Sequence, residues 1–153
     1  MMDRIPIGFE LNLTSRAVRR AFDNALLAAG GSLPVWLILL SLKRRSADNQ
    51  RELAEAIGIR GATLTHHLNS LEAQGMLTRR RDPRNRRVHI VELTQAGEDL
   101  FARLRGAAMA FDRRLRAGFS DEEVSSLGRG LRRLRLNVTE NANEAGKESS
   151  PLG

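Results

Sequence analysis

Between Thr78 and Ile90 the chain runs TRRRDPRNRRVHI, and six of the nine residues from Arg79 to Arg87 are arginine, with a single aspartate among them. Guanidinium groups set this close repel one another, so they either stay solvated on a loop or meet an anionic partner. Each offers a planar fork of donors that suits phosphate oxygens. The stretch carries +5 of the chain's formal net charge of +7, so the basicity is local. A local patch of this kind points to a polyanion such as nucleic acid. The choice of arginine carries no such weight. Lys43 and Lys147 are the only lysines and alanine is abundant, a bias of the kind codon composition produces.

Just upstream, GATLTHHLNSLEAQG places Leu64, Leu68 and Leu71 at i, i+4 and i+7, the spacing of a helix with one buried side. At 100° per residue, Ala62, Thr63, His66, Asn69, Ser70 and Ala73 then face away from the core. That face is small, polar and uncharged, so it can enter a major groove and hydrogen-bond base edges. An ordinary solvated face is the competing reading. His67 falls at the flank, where packing at the helix boundary competes with a ligand contact. His66 and His67 diverge as neighbours and His89 lies on a strand, so no metal site is expected.

The elements that must position these groups follow from periodicity. Leu11 to Ala28 is an amphipathic helix stopped by Gly30 and Gly31. SLPVWLILLSLKRR is a central helix, with Ser32 as cap, Pro34 in its first turn and a basic exit. Asn49 and Glu52 have capping-box spacing before a short helix ending at Gly58, and a tight turn leads to the Leu64 helix. These two short helices form a helix-turn-helix. MLTRRR and RVHIVEL read as strands around the turn DPRNR, hence a hairpin with an arginine-laden tip. Arg79 to Arg81 lie on the outgoing strand, free to hold phosphates or stay solvated, and Asp82 and Pro83 set the turn. Thr94 caps a helix through Leu115, and Ser120 with Glu123 opens a last one whose Val124, Leu127, Leu131, Leu134 and Val138 repeat at three and four. The tail beyond it is polar and without periodicity, which predicts disorder.

The fold class is therefore mainly α with a small β-hairpin. The chain contains no cysteine, which excludes disulfides, thiolate zinc sites and cysteine-based redox sensing. The first residues lack the apolar core of a signal peptide, and Val35 to Leu40 is too short to span a bilayer, so a cytoplasmic location and no membrane partner are expected. A Gly-rich phosphate loop, a nucleophile motif and paired carboxylates are all missing. No enzyme activity, catalytic residue or cofactor is expected.

Leu53 to Gly97 resembles the multiple-antibiotic-resistance regulator (MarR) family of bacterial winged-helix repressors, through the LA..IGI helix, TLT..L..LE..G, the DP..RR wing and the closing LT..G. The resemblance implies a homodimer on a pseudo-palindromic double-stranded operator. Residues 1–31 and 94–138 would hold dimerisation helices flanking a winged helix-turn-helix domain at 32–93, with a disordered tail at 139–153. Long apolar stripes on the first and last helices agree, since a winged domain cannot cover them alone. Thr63, Thr65, His66 and Asn69 match positions facing the major groove, with Ser70 beside them. His66 stands where arginine is often found, and a neutral imidazole cannot make a bidentate fork to guanine. Arg86 matches the minor-groove arginine of the wing, with Arg84 and Arg87 as neighbours and Arg79 and Arg81 as phosphate contacts. Asp82 matches the aspartate that orients that arginine, and Asn85 stands where aspartate is common. Family members commonly release DNA when a small aromatic or phenolic anion binds, which implies a possible small-molecule effector. Arg16, Trp36 and His67 are the candidates for its pocket, although Trp36 also reads as core and Arg16 as surface charge. The alternative function is a winged helix for protein contact or nonspecific nucleic-acid binding.

Overall fold

The computed structural model describes residues 4–45 and 49–148, with side chains described as far as residue 139. Six helices and one hairpin follow in the order α1 (Ile7–Ala28), α2 (Leu33–Arg44), α3 (Gln50–Ile57), α4 (Gly61–Ala73), β1 (Leu77–Arg81), β2 (His89–Leu93), α5 (Gln95–Arg116) and α6 (Asp121–Glu148). The described residues divide into two units, one reaching Phe111 and the other beginning at Asp112, within α5.

The cap residues explain where the helices begin. Ser32 Oγ accepts from the Val35 amide at 3.4 Å, and Asn49 Oδ1 accepts from the Glu52 amide at 3.0 Å. At α6 the capping box closes in both directions. The Glu123 amide donates to Ser120 Oγ at 3.1 Å, and the Ser120 amide donates to Glu123 Oε2 at 2.8 Å. Gly58 (φ 78°) and Gly75 (φ 75°) end α3 and α4 in the left-handed region, where a Cβ is penalised. Two boundaries differ from the periodic reading. α1 starts at Ile7, directly after Pro6, because Pro6 supplies a carbonyl to the Phe9 and Glu10 amides. α6 continues to Glu148, past the expected end at 138. Thr139 Oγ1 donates back to the Arg135 carbonyl at 3.0 Å, and the alanines and glutamates that follow keep helix propensity without an apolar stripe. α6 thus covers the first part of the 139–153 stretch where disorder was expected, and residues 149–153 lie outside the described residues.

The first unit closes around one apolar cluster. Leu26 of α1, Ile38 and Leu39 of α2, Leu53 of α3, Leu64, Leu68 and Leu71 of α4, Leu77 of β1 and Leu100 and Leu104 of α5 meet there. Each such leucine contributes about 1.5–3 kcal/mol by leaving water. Phe22 of α1 stacks on Phe111 of α5 at 5.0 Å between centroids. The hairpin is antiparallel, pairing Leu77 with Leu93, Arg79 with Val91 and Arg81 with His89. Its base is pressed against the start of α5. The Thr94 amide donates to the Met76 carbonyl at 3.1 Å, Thr94 Oγ1 donates to the Gly75 carbonyl at 2.5 Å and also accepts from the Gly97 amide at 3.2 Å. A Cβ on Gly97 would lie 1.9 Å from the Met76 carbonyl oxygen, so only glycine fits.

The second unit is mostly α6. Val124 and Leu134 are half-buried within it, whereas Leu127, Leu131, Leu136 and Val138 are exposed. In the first unit, Ile7, Phe9, Leu11, Leu13 and Leu27 of α1 are likewise exposed. Among the described residues no single helix is long and apolar enough to cross a membrane.

Candidate nucleic-acid interface

The buried leucines of α4 turn the rest of the helix outward. Thr63, Thr65, His66, Asn69 and Ser70 are all exposed, together with Ala62 and Ala73. His67 is half-buried at the flank, its ring 5.8 Å from that of His66 in an edge arrangement. The face carries no formal charge, and some of its polar atoms are already engaged. Thr65 Oγ1 donates to the Gly61 carbonyl at 2.9 Å, and Ser70 Oγ accepts from Gln74 Nε2 at 2.9 Å.

The arginines divide sharply by position. Arg79 is drawn inward, with its side chain 17% exposed, and Nε donates to Glu72 Oε2 at 3.1 Å. Its Nη2 donates to Glu72 Oε1 at 3.4 Å and to Asn69 Oδ1. Those hydrogen bonds hold the Glu72 carboxyl below its ordinary pKa. Arg79 therefore departs from the expectation of a solvated or phosphate-holding strand residue. It faces α4 because alternate residues of a strand face opposite sides, and Glu72 on the last turn of α4 is the counter-charge in reach. Arg80 pairs with Glu92 on the opposite strand at 3.1 Å.

Beyond these two, the hairpin opens. Arg81, Arg84, Arg86 and Arg87 are exposed, and no ion pair holds any of them among the described residues. Arg81 Nη1 donates to the Arg86 carbonyl at 3.4 Å. The turn is shaped by two side chains bonding local amides: Asp82 Oδ1 accepts from the Arg84 amide at 2.8 Å, and Asn85 Oδ1 from the Arg87 amide at 3.2 Å. Asp82 was expected to orient a guanidinium. Its contact here is with backbone, so it shapes the turn that presents the arginines. Asn85 does the same work without a negative charge.

The three residues suggested for an effector pocket lie on three different helices, Arg16 on α1, Trp36 on α2 and His67 on α4. Arg16 is exposed on α1. Trp36 stacks on Phe101 at 5.6 Å, and Lys43 Nζ lies 5.7 Å from the Phe101 centroid while bonding Glu98 at 2.9 Å. Trp36 thus joins α2 to α5. A cavity of about 540 Å³ lies elsewhere, lined by Arg19, Asp23 and Leu27 of α1, Leu33 and Leu37 of α2, and Ile57 at the end of α3, among others. Sequence reasoning missed these residues, because three separate segments build the cavity and none carries a local motif. It also missed Glu72, whose signal was a lone acid on the helix flank nearest the arginine strand.

Comparisons with known proteins agree with this geometry. The model of the MarR family matches residues 32–89. The solved structure of the transcriptional regulator PA3341 is similar at 32% identity, covering 88% of this chain and 98% of that one, with a TM-score of 0.69. CouR from Rhodococcus jostii RHA1, solved with p-coumaroyl-CoA, is 25% identical over 84% of this chain and 91% of its own, with a TM-score of 0.69. CouR, a transcriptional repressor, bound to a 23-mer DNA duplex superposes with a TM-score of 0.74 at 26% identity over the same shares. The winged fold, with its helix-turn-helix and arginine-tipped hairpin, belongs to a transcription regulator of the MarR family.

Proposed function

We propose that this protein is a homodimeric, sequence-reading repressor of transcription, resident in the cytoplasm on its DNA and released by a small ligand. One observation carries the DNA-binding reading: an exposed, uncharged helix face and an arginine tip without ion pairs among the described residues stand on one winged unit, joined by the Arg79–Asn69 contact. Thr63, Thr65, His66, Asn69 and Ser70 would meet base edges. Arg81, Arg84, Arg86 and Arg87 would meet phosphates and the minor groove, where A·T-rich narrowing deepens the negative potential. Two copies would present their α4 helices to successive major grooves about one helical turn apart. The complex of CouR with duplex DNA supports this geometry by likeness.

Dimerisation would fall to residues 1–31 and 94–138, with 32–93 as the DNA-binding domain. The exposed apolar side chains of α1 and of α6 each suit a partner surface. For the ligand, the α1–α2–α3 cavity has an apolar wall of Leu27, Leu33, Leu37 and Ile57 with Arg19 and Asp23 at its polar side, suited to a small aromatic or aliphatic molecule with a polar end. An occupant that favoured a different placement of α1 against the helix-turn-helix would change the α4 spacing in the dimer and free the DNA. That CouR was solved with p-coumaroyl-CoA supports this reading.

The test is a titration of the protein onto its own upstream intergenic DNA and onto scrambled DNA across salt concentrations. A repressor keeps its preference for the upstream DNA at high salt. Loss of all discrimination, with only a steep salt dependence, would leave a nonspecific nucleic-acid binder instead.

A further inference from the structure

Asn69 stands on the outward face of α4, and its side-chain oxygen is committed to the hairpin. Oδ1 accepts from Nη2 of Arg79, and chemistry alone identifies the atom. A guanidinium has donors and no acceptor, so only the carboxamide oxygen can face it. Arg79 is held in turn by Glu72, through Nε at 3.1 Å and Nη2 at 3.4 Å, and its side chain is only 17% exposed. The hydrogen bonds from Arg79 lower the pKa of Glu72, so the anchor stays a carboxylate to a lower pH than an ordinary glutamate would. The orientation of the carboxamide is therefore set before any partner arrives, with the oxygen drawn back onto β1 and the amide nitrogen left for the groove.

This changes what Asn69 can read. An asparagine with both atoms abreast of a base edge pairs bidentately with adenine, accepting from N6–H and donating to N7. An oxygen turned to the hairpin cannot stand beside that edge, and the carboxamide then presents N–H donors. Guanine offers two adjacent acceptors, N7 and O6, to the amide hydrogens. Adenine sets the N6 donor beside its one acceptor N7, thymine has a single acceptor O4 beside its methyl group, and cytosine N4 is a donor that opposes them. We propose that Arg79, anchored by Glu72, is a positioning residue that makes Asn69 a reader of guanine. The inference rests on the DNA-binding reading above and names the base class that this part of the interface selects.

The experiment selects sites from a random duplex library with the full-length wild type and with Asn69→Ala, Asn69→Asp and Arg79→Met. The wild type should enrich a defined half-site with guanine at the position whose preference disappears in Asn69→Ala, by roughly tenfold over the other bases. Asn69→Asp keeps an acceptor for Arg79 but turns an oxygen to the groove, so guanine should give way to cytosine there. Arg79→Met releases Oδ1 and should move the preference to adenine. Where Arg79→Met fails to fold by circular dichroism, Asn69→Asp carries the test alone. Adenine at that position in the wild type, guanine retained in Asn69→Asp, or no altered position in Asn69→Ala overturns the proposal while DNA recognition stands. Enrichment of no sequence at all by the wild type removes the DNA-binding reading itself, and the inference with it.

Discussion

Arg79 and Arg86 share one hairpin and one side-chain chemistry, yet their circumstances are opposite. Arg79, near the base, is largely buried against Glu72 and Asn69, while Arg86, at the tip, is exposed and in no ion pair among the described residues. The base of the wing is tied by Arg79 to Glu72 and Asn69 on α4 and by Thr94, at the start of α5, to Gly75 and Met76. The tip is a short turn that two local side chains shape from within. Charge density along a sequence therefore conceals two roles. Arg79 and Arg80 are tied down near the base by Glu72 and Glu92, and the four arginines beyond them are held out where a polyanion would relieve their repulsion.

That division can be broken at the base first. Gly97→Ala drives a methyl group into the Met76 carbonyl oxygen, and the expected loss is about 4 kcal/mol or more, read by denaturant unfolding. Leu68→Ala removes a fully buried side chain behind the recognition face and should cost about 3 kcal/mol in the same measurement. At the tip, Arg86→Ala should change stability by less than about 0.5 kcal/mol while weakening DNA binding across all sequences tested. A tip variant as damaging to stability as Leu68→Ala would erase the contrast.

The smallest effect concerns acid. The folded-state pKa of Glu72 is lowered by its hydrogen bonds to Arg79, so the unfolded chain binds the proton more readily. Its contribution to stability is present in full above the ordinary glutamate range and is lost as pH falls through the depressed folded value. Unfolding midpoints measured through the acidic range should therefore fall less steeply for Glu72→Gln than for the wild type. Parallel curves would mean that the pair contributes nothing measurable.

Much of this arrangement was legible in the residues, because much of it is local. The spacing of Leu64, Leu68 and Leu71 determines which side of α4 is buried, and with it the exposure of Thr63, His66 and Asn69. Ser32, Asn49 and Ser120 act on amides three residues away, so their capping was readable too. The inward turn of Arg79 was not, since it depends on where β1 lies beside α4. Strand alternation distinguishes Arg79 and Arg81 from Arg80 but does not say which side meets α4. The role of Asp82 was half visible: turn chemistry was expected, and the partner proved to be an amide rather than a guanidinium. The end of α6 was misjudged because apolar periodicity reports a buried stripe, and a helix can continue without one. Trp36 had two sequence readings, core and ligand, and Phe101 from a distant helix occupies its ring face.

The central claim is that the tip of the wing, not its base, meets the phosphates. The most direct measurement is the slope of log binding constant against log salt for the wild type, for Arg84→Ala with Arg86→Ala, and for Arg79→Met, on one duplex. The slope should become shallower by about 0.9 for each phosphate contact that the tip variant loses, and Arg79→Met should keep the wild-type slope. A slope unchanged by the tip substitutions and reduced by Arg79→Met would contradict the account.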